Sequence, residues 1–312
     1  MTKKECVAVV MGGPSEEREI SFMTGNAVVQ ALQEKGYDAV AVDLDPASLP
    51  QQLAACGATV VFNAVHGLYG EDGRMQGILE MIDMPYTGSG VLSSALSMDK
   101  AYSKRMFQAQ NIPTPKCIFA VANEKKDTVQ EILEKFSLPV VVKPAAQGSS
   151  IGVEIVKNQA ELAAAIAEAF SYGQEIVIEE FIKGQEIAAG VMETLEGIVP
   201  MPLVLIEPHS GAYDYKSKYT KGATVYTVPA PLTNEVTQKI QGVALAAYKA
   251  LGCRGVARAD ILLTAKGEAL VLEMNSVPGM TSTSLIPKAA AAMNITFPDL
   301  CEQILRTATV KK

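Results

Sequence analysis

Residues 255–275 read GVARADILLTAKGEALVLEMN, two apolar runs on either side of Lys266-Gly267. Runs of this kind fold as strands, and glycine tolerates the positive φ of a tight turn, so the stretch must close into a hairpin. A two-residue turn pairs Ala265 with Glu268 and, further along, Asp260 with Glu273 and Arg258 with Asn275. Side chains two apart in a strand share a face. Four polar side chains therefore crowd one face at one end of an apolar hairpin, unless a bulge shifts the register. A strand fraying into a polar loop gives a similar pattern, and an Asp–Arg pair alone is usually a surface salt bridge. Two facing carboxylates beside an asparagine and one arginine are better explained by a hard cation. Mg²⁺ takes carboxylate and carbonyl oxygens and is commonly shared with substrate phosphates.

The rest of the chain limits what that hairpin can serve. There are 312 residues, 48% of them hydrophobic and 20% charged, enough for two or three ordinary domains. A net charge of −7 argues against nucleic acid as a partner. No apolar run is long enough to span a membrane, and the N-terminal MTKKECVAVVMGG is too short in its apolar core for a signal peptide. Cys6, Cys56, Cys117, Cys253 and Cys301 are scattered without metal spacing. They read as reduced core residues of a cytoplasmic protein, and a catalytic cysteine is disfavoured in a chain with two histidines.

Strands are expected at 5–11, 38–44 and 59–65, with helices at about 21–35 and 47–56 between them. This βαβαβ alternation predicts a small parallel sheet, which binds ligands beyond the carboxyl ends of its strands. Glu16, Glu17, Arg18 and His66 fall just past those ends, although EERE taken alone reads as a solvated charge cluster. A boundary is expected near Asp99. Beyond it come a strand at 117–121, helices at 127–136 and 158–170, and a strand at 175–181. Within this unit VVVKPAAQGSSIGV delivers Lys143 from a buried strand into a Gly-Ser loop. A lysine beside free loop N–H groups suits nucleotide phosphates, and a hairpin turn with a solvated lysine fits the stretch equally well. Neither a Walker loop nor G-x-G-x-x-G is present. Residues 207–222, EPHSGAYDYKSKYTKG, form a long polar loop of the kind that is usually functional or disordered, and its tyrosines and lysines favour a loop that orders.

Taken together and in this order, GGPSEEREIS, VHGLYGEDGRMQGILEMIDMPYTGSG, SALSMDK, KPAAQGSSIGV, YDYKSKY, RADILL and EMNSVPGMTSTSLIP resemble the D-alanine–D-alanine ligases of the ATP-grasp superfamily. The resemblance spans nearly the whole chain. It implies an α/β ATP-grasp fold behind an N-terminal Rossmann-like domain, divided as 1–99, 100–185 and 186–312, with the catalytic loop at 207–222. It implies ATP as co-substrate and two D-alanines joined through an acyl phosphate for peptidoglycan precursors, by a cytoplasmic homodimer.

By position, the resemblance makes Asp260, Glu273 and Asn275 ligands of two Mg²⁺, with Mn²⁺ as a substitute. Lys100 and Lys143 would meet ATP phosphates, while Glu180, Ile182 and Glu186 would line adenine and ribose. Glu17 would hold the first D-alanine's ammonium, with His66 close by. Arg258 and the Gly279 N–H would hold the oxyanion. Ser284 and the Leu285 backbone, at the start of a helix, would bind the second carboxylate. Ser149 and Tyr219 would link to Glu17 when the loop closes, bringing Lys218 to the γ-phosphate. EMNS stands where relatives commonly carry Glu-Ala-Asn-Thr, and keeps both ligands. The competing readings are a D-Ala–D-Ser or D-Ala–D-lactate ligase, another carboxylate–amine ligase, and a nucleotide-binding regulator. The last has no need of a divalent pair or an oxyanion arginine.

Overall fold

The computed structural model describes residues 5–124, 127–211, 213, 217, 220, 222–281 and 283–310. β1 (Cys6–Met11), β2 (Asp38–Asp43) and β3 (Val60–Asn63) form a parallel sheet in the order β2-β1-β3. α1 (Arg18–Glu34) and α2 (Leu49–Ala55) make the crossovers. β1 lacks polar alternation because both its faces are covered. Val7, Val9 and Met11 pack toward α1, and Ala8 and Val10 toward α2 and α3 (Arg74–Met81). α1 begins three residues before the expected start, so Glu17 caps it and its carbonyl accepts the Ser21 N–H at 2.9 Å.

The middle of the chain builds an antiparallel sheet from β4 (Cys117–Val121), β5 (Val140–Pro144), β6 (Glu154–Val156) and β7 (Glu175–Glu180), in the order β4-β7-β5-β6. α6 (Thr128–Lys135) and α7 (Gln159–Ser171) cover one face, onto which Ile118, Val140, Val142, Ile176 and Ile178 pack. The other face meets α5 (Lys100–Ala109) and carries Val177 with two charged side chains, Lys143 and Glu179. α5 follows directly on α4 (Val91–Met98). Asp99 stands between them and its side chain accepts the Ala101 and Tyr102 N–H groups. This cap divides the stretch into two helices at the boundary expected near Asp99.

The last unit is a six-stranded sheet of β8 (Gly184–Thr194), β9 (Gly197–Pro200), β10 (Val204–Pro208), β11 (Thr224–Thr227), β12 (Val256–Thr264) and β13 (Ala269–Asn275). Its order is β11-β10-β8-β12-β13, with β9 paired to β8. α8 (Asn234–Ala250) covers one face. On the other, Ala188 and Ile206 share one apolar cluster with Val7 and Val9 of the first sheet, Ile286 of α9 (Leu285–Ala291) and Leu300 of α10 (Phe297–Arg306). That common core fixes the loop after β1 relative to the loop after β13.

The hairpin of β12 and β13 departs from expectation at its tip. The connection has three residues, Ala265 to Gly267: Thr264 N–H reaches Glu268 O at 2.9 Å, and Gly267 takes φ +75°. This would displace the pairing by one residue, but the register shifts back between Asp260 and Ile261, leaving Leu272 unpaired as a bulge. Below the bulge, Asp260 faces Glu273 and Arg258 faces Asn275, the pairing expected from the sequence. Among the described residues no helix is long and apolar enough to cross a membrane.

Candidate active site

A cavity of about 240 Å³ opens where the three sheets meet. The loops after β1 and β3 bring Glu17 and His66 to it, and the loop after β5 brings Ser149. Lys100 enters from the start of α5. The end of the hairpin supplies Arg258, Glu273 and Asn275, and the segment beyond it supplies Gly279, Ser284 and Leu285. Residues spread over 269 positions of sequence thus line one space.

The acidic cluster resolves into separate roles. Glu16 and Glu19 are exposed, and Arg18 makes a bidentate pair with Asp43, at 2.9 and 2.6 Å. Only Glu17 turns to the cavity, where Ser149 Oγ donates a hydrogen bond to its Oε1. Ser149 holds this position at φ +51°, left-handed backbone that a serine adopts at some cost. The carboxylate is hemmed in by glycines: a Cβ on Gly67 or Gly148 would lie 2.8 or 3.0 Å from Oε2. Beside it, His66 is buried, with Nε2 2.9 Å from Thr24 Oγ1 and Nδ1 3.4 Å from Glu71 Oε1. Burial pushes the Glu71 carboxyl above its ordinary range, against the pull of His66.

At the hairpin end, Arg258 grips Asp260 through two hydrogen bonds, Nε–Oδ1 at 2.6 Å and Nη2–Oδ2 at 2.9 Å. Burial works against the guanidinium charge, but Asp260 outweighs it and holds the group above its usual value. Glu273 Oε2 lies 3.3 Å from Lys100 Nζ, which also donates to Gln147 O at 2.5 Å. Asn275 Oδ1 accepts the Val277 N–H at 3.1 Å. Among the described residues no cluster of three His, Cys, Asp or Glu side chains is placed to hold a metal. The hairpin end nonetheless carries an all-oxygen set of two carboxylates and a carboxamide, of which Glu273 and Asn275 line the cavity while Asp260, held by Arg258 through both oxygens, does not. Such a set fits Mg²⁺, which is usually completed by water and phosphate oxygens rather than caged by protein.

The far wall explains one glycine. A Cβ on Gly279 would lie 2.9 Å from Ser284 Oγ, so a larger residue there would push that hydroxyl from its place at the start of α9. Ser284 Oγ accepts the Thr281 N–H at 3.0 Å. Tyr213, from the 207–222 loop, and Tyr226 close the cavity with hydroxyls 3.2 Å apart and rings packed edge to face.

The expected nucleotide residues lie elsewhere. Lys143 does not line the cavity; its Nζ is buried 2.8 Å from Glu179 Oε1, and Lys104 Nζ approaches the same oxygen at 2.7 Å. Glu180 points away from this cluster, its Oε1 accepting the Lys116 N–H at 2.9 Å. Ile182 and Glu186 sit in and just after the short link from β7 to β8, and neither touches the cavity. Lys218 and Tyr219 lie outside the described residues. Sequence reasoning passed over Glu71, Tyr213, Tyr226, Lys104 and Glu179. Strand parity held a signal for Glu179, which shares the Lys143 face of the sheet, whereas Glu180 is on the other.

Family models described as the D-ala D-ala ligase N-terminus and C-terminus match residues 47–89 and 106–306. The chain is 45% identical over 311 residues to a D-alanine–D-alanine ligase of Geotalea uraniireducens, covering 99% of this chain and 97% of that one. It is 44% identical over 306 residues to that of Syntrophotalea carbinolica, covering 98% and 97%. Among solved structures, D-alanine–D-alanine ligase from Bacillus anthracis complexed with ATP superposes with a TM-score of 0.85, at 34% identity over 97% of both chains. The VanG D-Ala:D-Ser ligase of Enterococcus faecalis gives 0.84 at 28% identity, over 97% of this chain and 99% of that one.

Proposed function

The chain belongs to the D-alanine–D-alanine ligase family, and on that footing we propose which of its residues carry each step of the reaction. It is an ATP-dependent ligase of the ATP-grasp fold that joins two D-alanines through an acyl phosphate, a step of peptidoglycan precursor synthesis. Glu17 holds the ammonium of the first D-alanine, and Ser149 and the flanking glycines keep its carboxylate in one place. A carboxylate oxygen of that D-alanine bonds to the γ-phosphorus as the bond to the β–γ bridging oxygen breaks, releasing ADP. The amine of the second D-alanine then attacks the acyl carbon, loses a proton, and phosphate leaves. Arg258 and the Gly279 N–H face the oxyanion of that intermediate, a role for donors already in place before the charge develops. Ser284 Oγ and the Leu285 backbone N–H take the second carboxylate.

Lys100 and Lys143 serve the phosphates, and Glu180, Ile182 and Glu186 the adenine and ribose. Asp260, Glu273 and Asn275 would hold Mg²⁺ or Mn²⁺, two ions with the phosphates present, and the bound metal would offset the charge of the triphosphate. Closure of the 207–222 loop, with Lys218 and Tyr219, keeps water from the acyl phosphate. Residues 1–99, 100–185 and 186–312 act as the three units. We read the protein as a cytoplasmic homodimer; Met81 and Leu92, on α3 and α4, are 88% and 72% exposed and give the first unit an apolar surface to cover.

The observation that carries this reading is the cavity itself. Glu17, Ser149, Arg258 and Glu273, from distant parts of the chain, line one space of about 240 Å³, and Ser149 is bonded to Glu17 within it. Phosphate release from ATP with Mg²⁺ and individual amino acids tests it, with products identified by mass spectrometry. D-alanine alone should support turnover and give D-alanyl-D-alanine. Preferential use of D-serine or D-lactate as acceptor would overturn the assignment of the second subsite.

A further inference from the structure

The second face of the central sheet holds an arrangement that packing alone does not explain. Lys104 is fully buried, and the side chains of Glu179 and Lys143 are 3% and 8% exposed. One carboxylate oxygen of Glu179 takes both ammonium groups, at 2.7 and 2.8 Å. With all three groups ionised the cluster carries a net positive charge in the interior, where an unbalanced charge is costly and an apolar residue of similar size is commonly neutral or stabilising. Burial lowers the proton affinity of Lys104, and the Glu179 carboxylate opposes that.

The surplus has a use. A lone Lys143–Glu179 pair would be neutral, and Lys143 would have little charge left for an anion. With Lys104 on the same oxygen, the pair becomes a cationic triad and Lys143 keeps its attraction for phosphate. Glu179 and Lys143 lie diagonally on one face of β7 and β5, so the carboxylate also fixes where the Lys143 ammonium sits.

Lys104 reaches further. Its Nζ donates to Thr114 Oγ1 at 2.6 Å, and that hydroxyl donates to Val271 O at 2.7 Å. Val271 N–H in turn reaches Pro113 O at 2.8 Å. Val271 stands two residues before Glu273 on β13. One turn before Lys104 on α5 is Lys100, 3.3 Å from Glu273. α5 thus ties the nucleotide-side lysine of the central sheet to the carboxylate strand of the last sheet.

We propose that Lys104 is a positioning residue for ATP: through Glu179 it sets the place and effective charge of Lys143, and through Thr114 it aligns Lys143 with the Glu273 strand. This rests on the reading of Lys143 as a phosphate contact, so the experiment carries Lys143→Met as its reference. Lys104→Met removes the charge at nearly constant volume. It should fold with a melting temperature equal to or above that of the parent, since a buried surplus charge is gone. Its KM for ATP and its Kd for ADP should rise about tenfold, the scale of one charge-assisted contact. The KM for D-alanine at saturating ATP should stay within about twofold, as expected of a residue remote from that subsite. Lys104→Arg should recover most of the ATP affinity. Thr114→Val, which cuts the bridge to β13 and leaves the triad charged, should raise the ATP KM less than Lys104→Met does.

If Lys143→Met weakens ATP and Lys104→Met does not, the proposal is overturned. If neither weakens ATP, the phosphate reading of Lys143 falls first and the proposal with it. If Lys104→Met does not fold, Thr114→Val and Lys104→Arg decide. Unchanged ATP affinity in Thr114→Val, or no difference in ATP affinity between a folded Lys104→Arg and Lys143→Met, overturns it.

Discussion

Two sets of charges sit less than one helix apart, and they are built in opposite ways. At the cavity, Arg258 meets Asp260 and Lys100 meets Glu273, oppositely charged partners whose side chains are 10–30% exposed. On the central sheet, Lys104, Glu179 and Lys143 are nearly closed off and, with all three ionised, carry one positive charge too many. Ion pairs at a cavity wall exchange partners more readily than sealed ones, which suits the proposed entry and exit of phosphates there. A tightly packed, unbalanced cluster rearranges with difficulty, which suits the proposed role of Lys143 as a fixed cation for phosphate. The two sets share α5, whose first turn serves the cavity and whose second serves the triad.

The sharpest way to break this contrast is at Glu273. Glu273→Gln keeps the shape and removes one carboxylate from the inferred Mg²⁺ set. Turnover should fall about a thousandfold, on the order of 4 kcal/mol of transition-state stabilisation, with the melting temperature little changed. Near-normal turnover at limiting Mg²⁺ would remove the hairpin end from the chemistry.

Glu179→Gln should show the reverse balance. It strands two buried ammonium groups, a change that costs about 3–5 kcal/mol of folding stability. Urea unfolding would read this directly. A variant as stable as the parent would mean that the triad is not sealed, and the contrast would dissolve.

A smaller effect is expected at Glu17. Glu17→Gln should raise the KM for D-alanine about tenfold to a hundredfold, the range for loss of one buried charged contact, while Glu16→Gln should be silent. Equal effects would return EERE to a solvated cluster. The smallest effect concerns Glu71. Its carboxyl titrates above the ordinary range in the folded protein because of burial, so folding favours its protonated form. Stability from this group is fully present below the unfolded value and is lost as pH rises through the folded one. Glu71→Gln does not titrate there, so it should gain on the parent as pH rises above that of an ordinary glutamate. Parallel curves of unfolding midpoint against pH for the two proteins would refute this.

Much of the fold was legible because its signals are local. The unbroken apolar run of β1 reflects a strand covered on both sides, and the strands and helices between 117 and 181 lie within a residue or two of expectation. The facing of Asp260 and Glu273 came out right through two compensating departures, a longer turn and a bulge, neither visible in the apolar pattern. The cavity residues that stand in ordered motifs, from Glu17 to Leu285, were legible together. Those that depend on distant segments meeting were not. Lys104 reads as one more lysine of a polar helix face until Glu179 and Thr114 are placed against it. Likewise the neighbours Glu179 and Glu180 are alike in composition and opposite in placement, one buried with two lysines and the other holding the Lys116 amide.

The unpaired Leu272 has a meaning for how such a chain can change over generations. Because the bulge takes up the residue by which turn and site disagree, the length of the turn and the facing of Asp260 and Glu273 are set by separate features of the hairpin. Insertions or deletions between Ala265 and Gly267 can be absorbed at a joint that already tolerates a change of phase, leaving Asp260 opposite Glu273. The tip is therefore a natural place to graft a tag, an epitope or a sensor segment, whereas the same insertion between Glu273 and Gly279 would reach the chemistry directly.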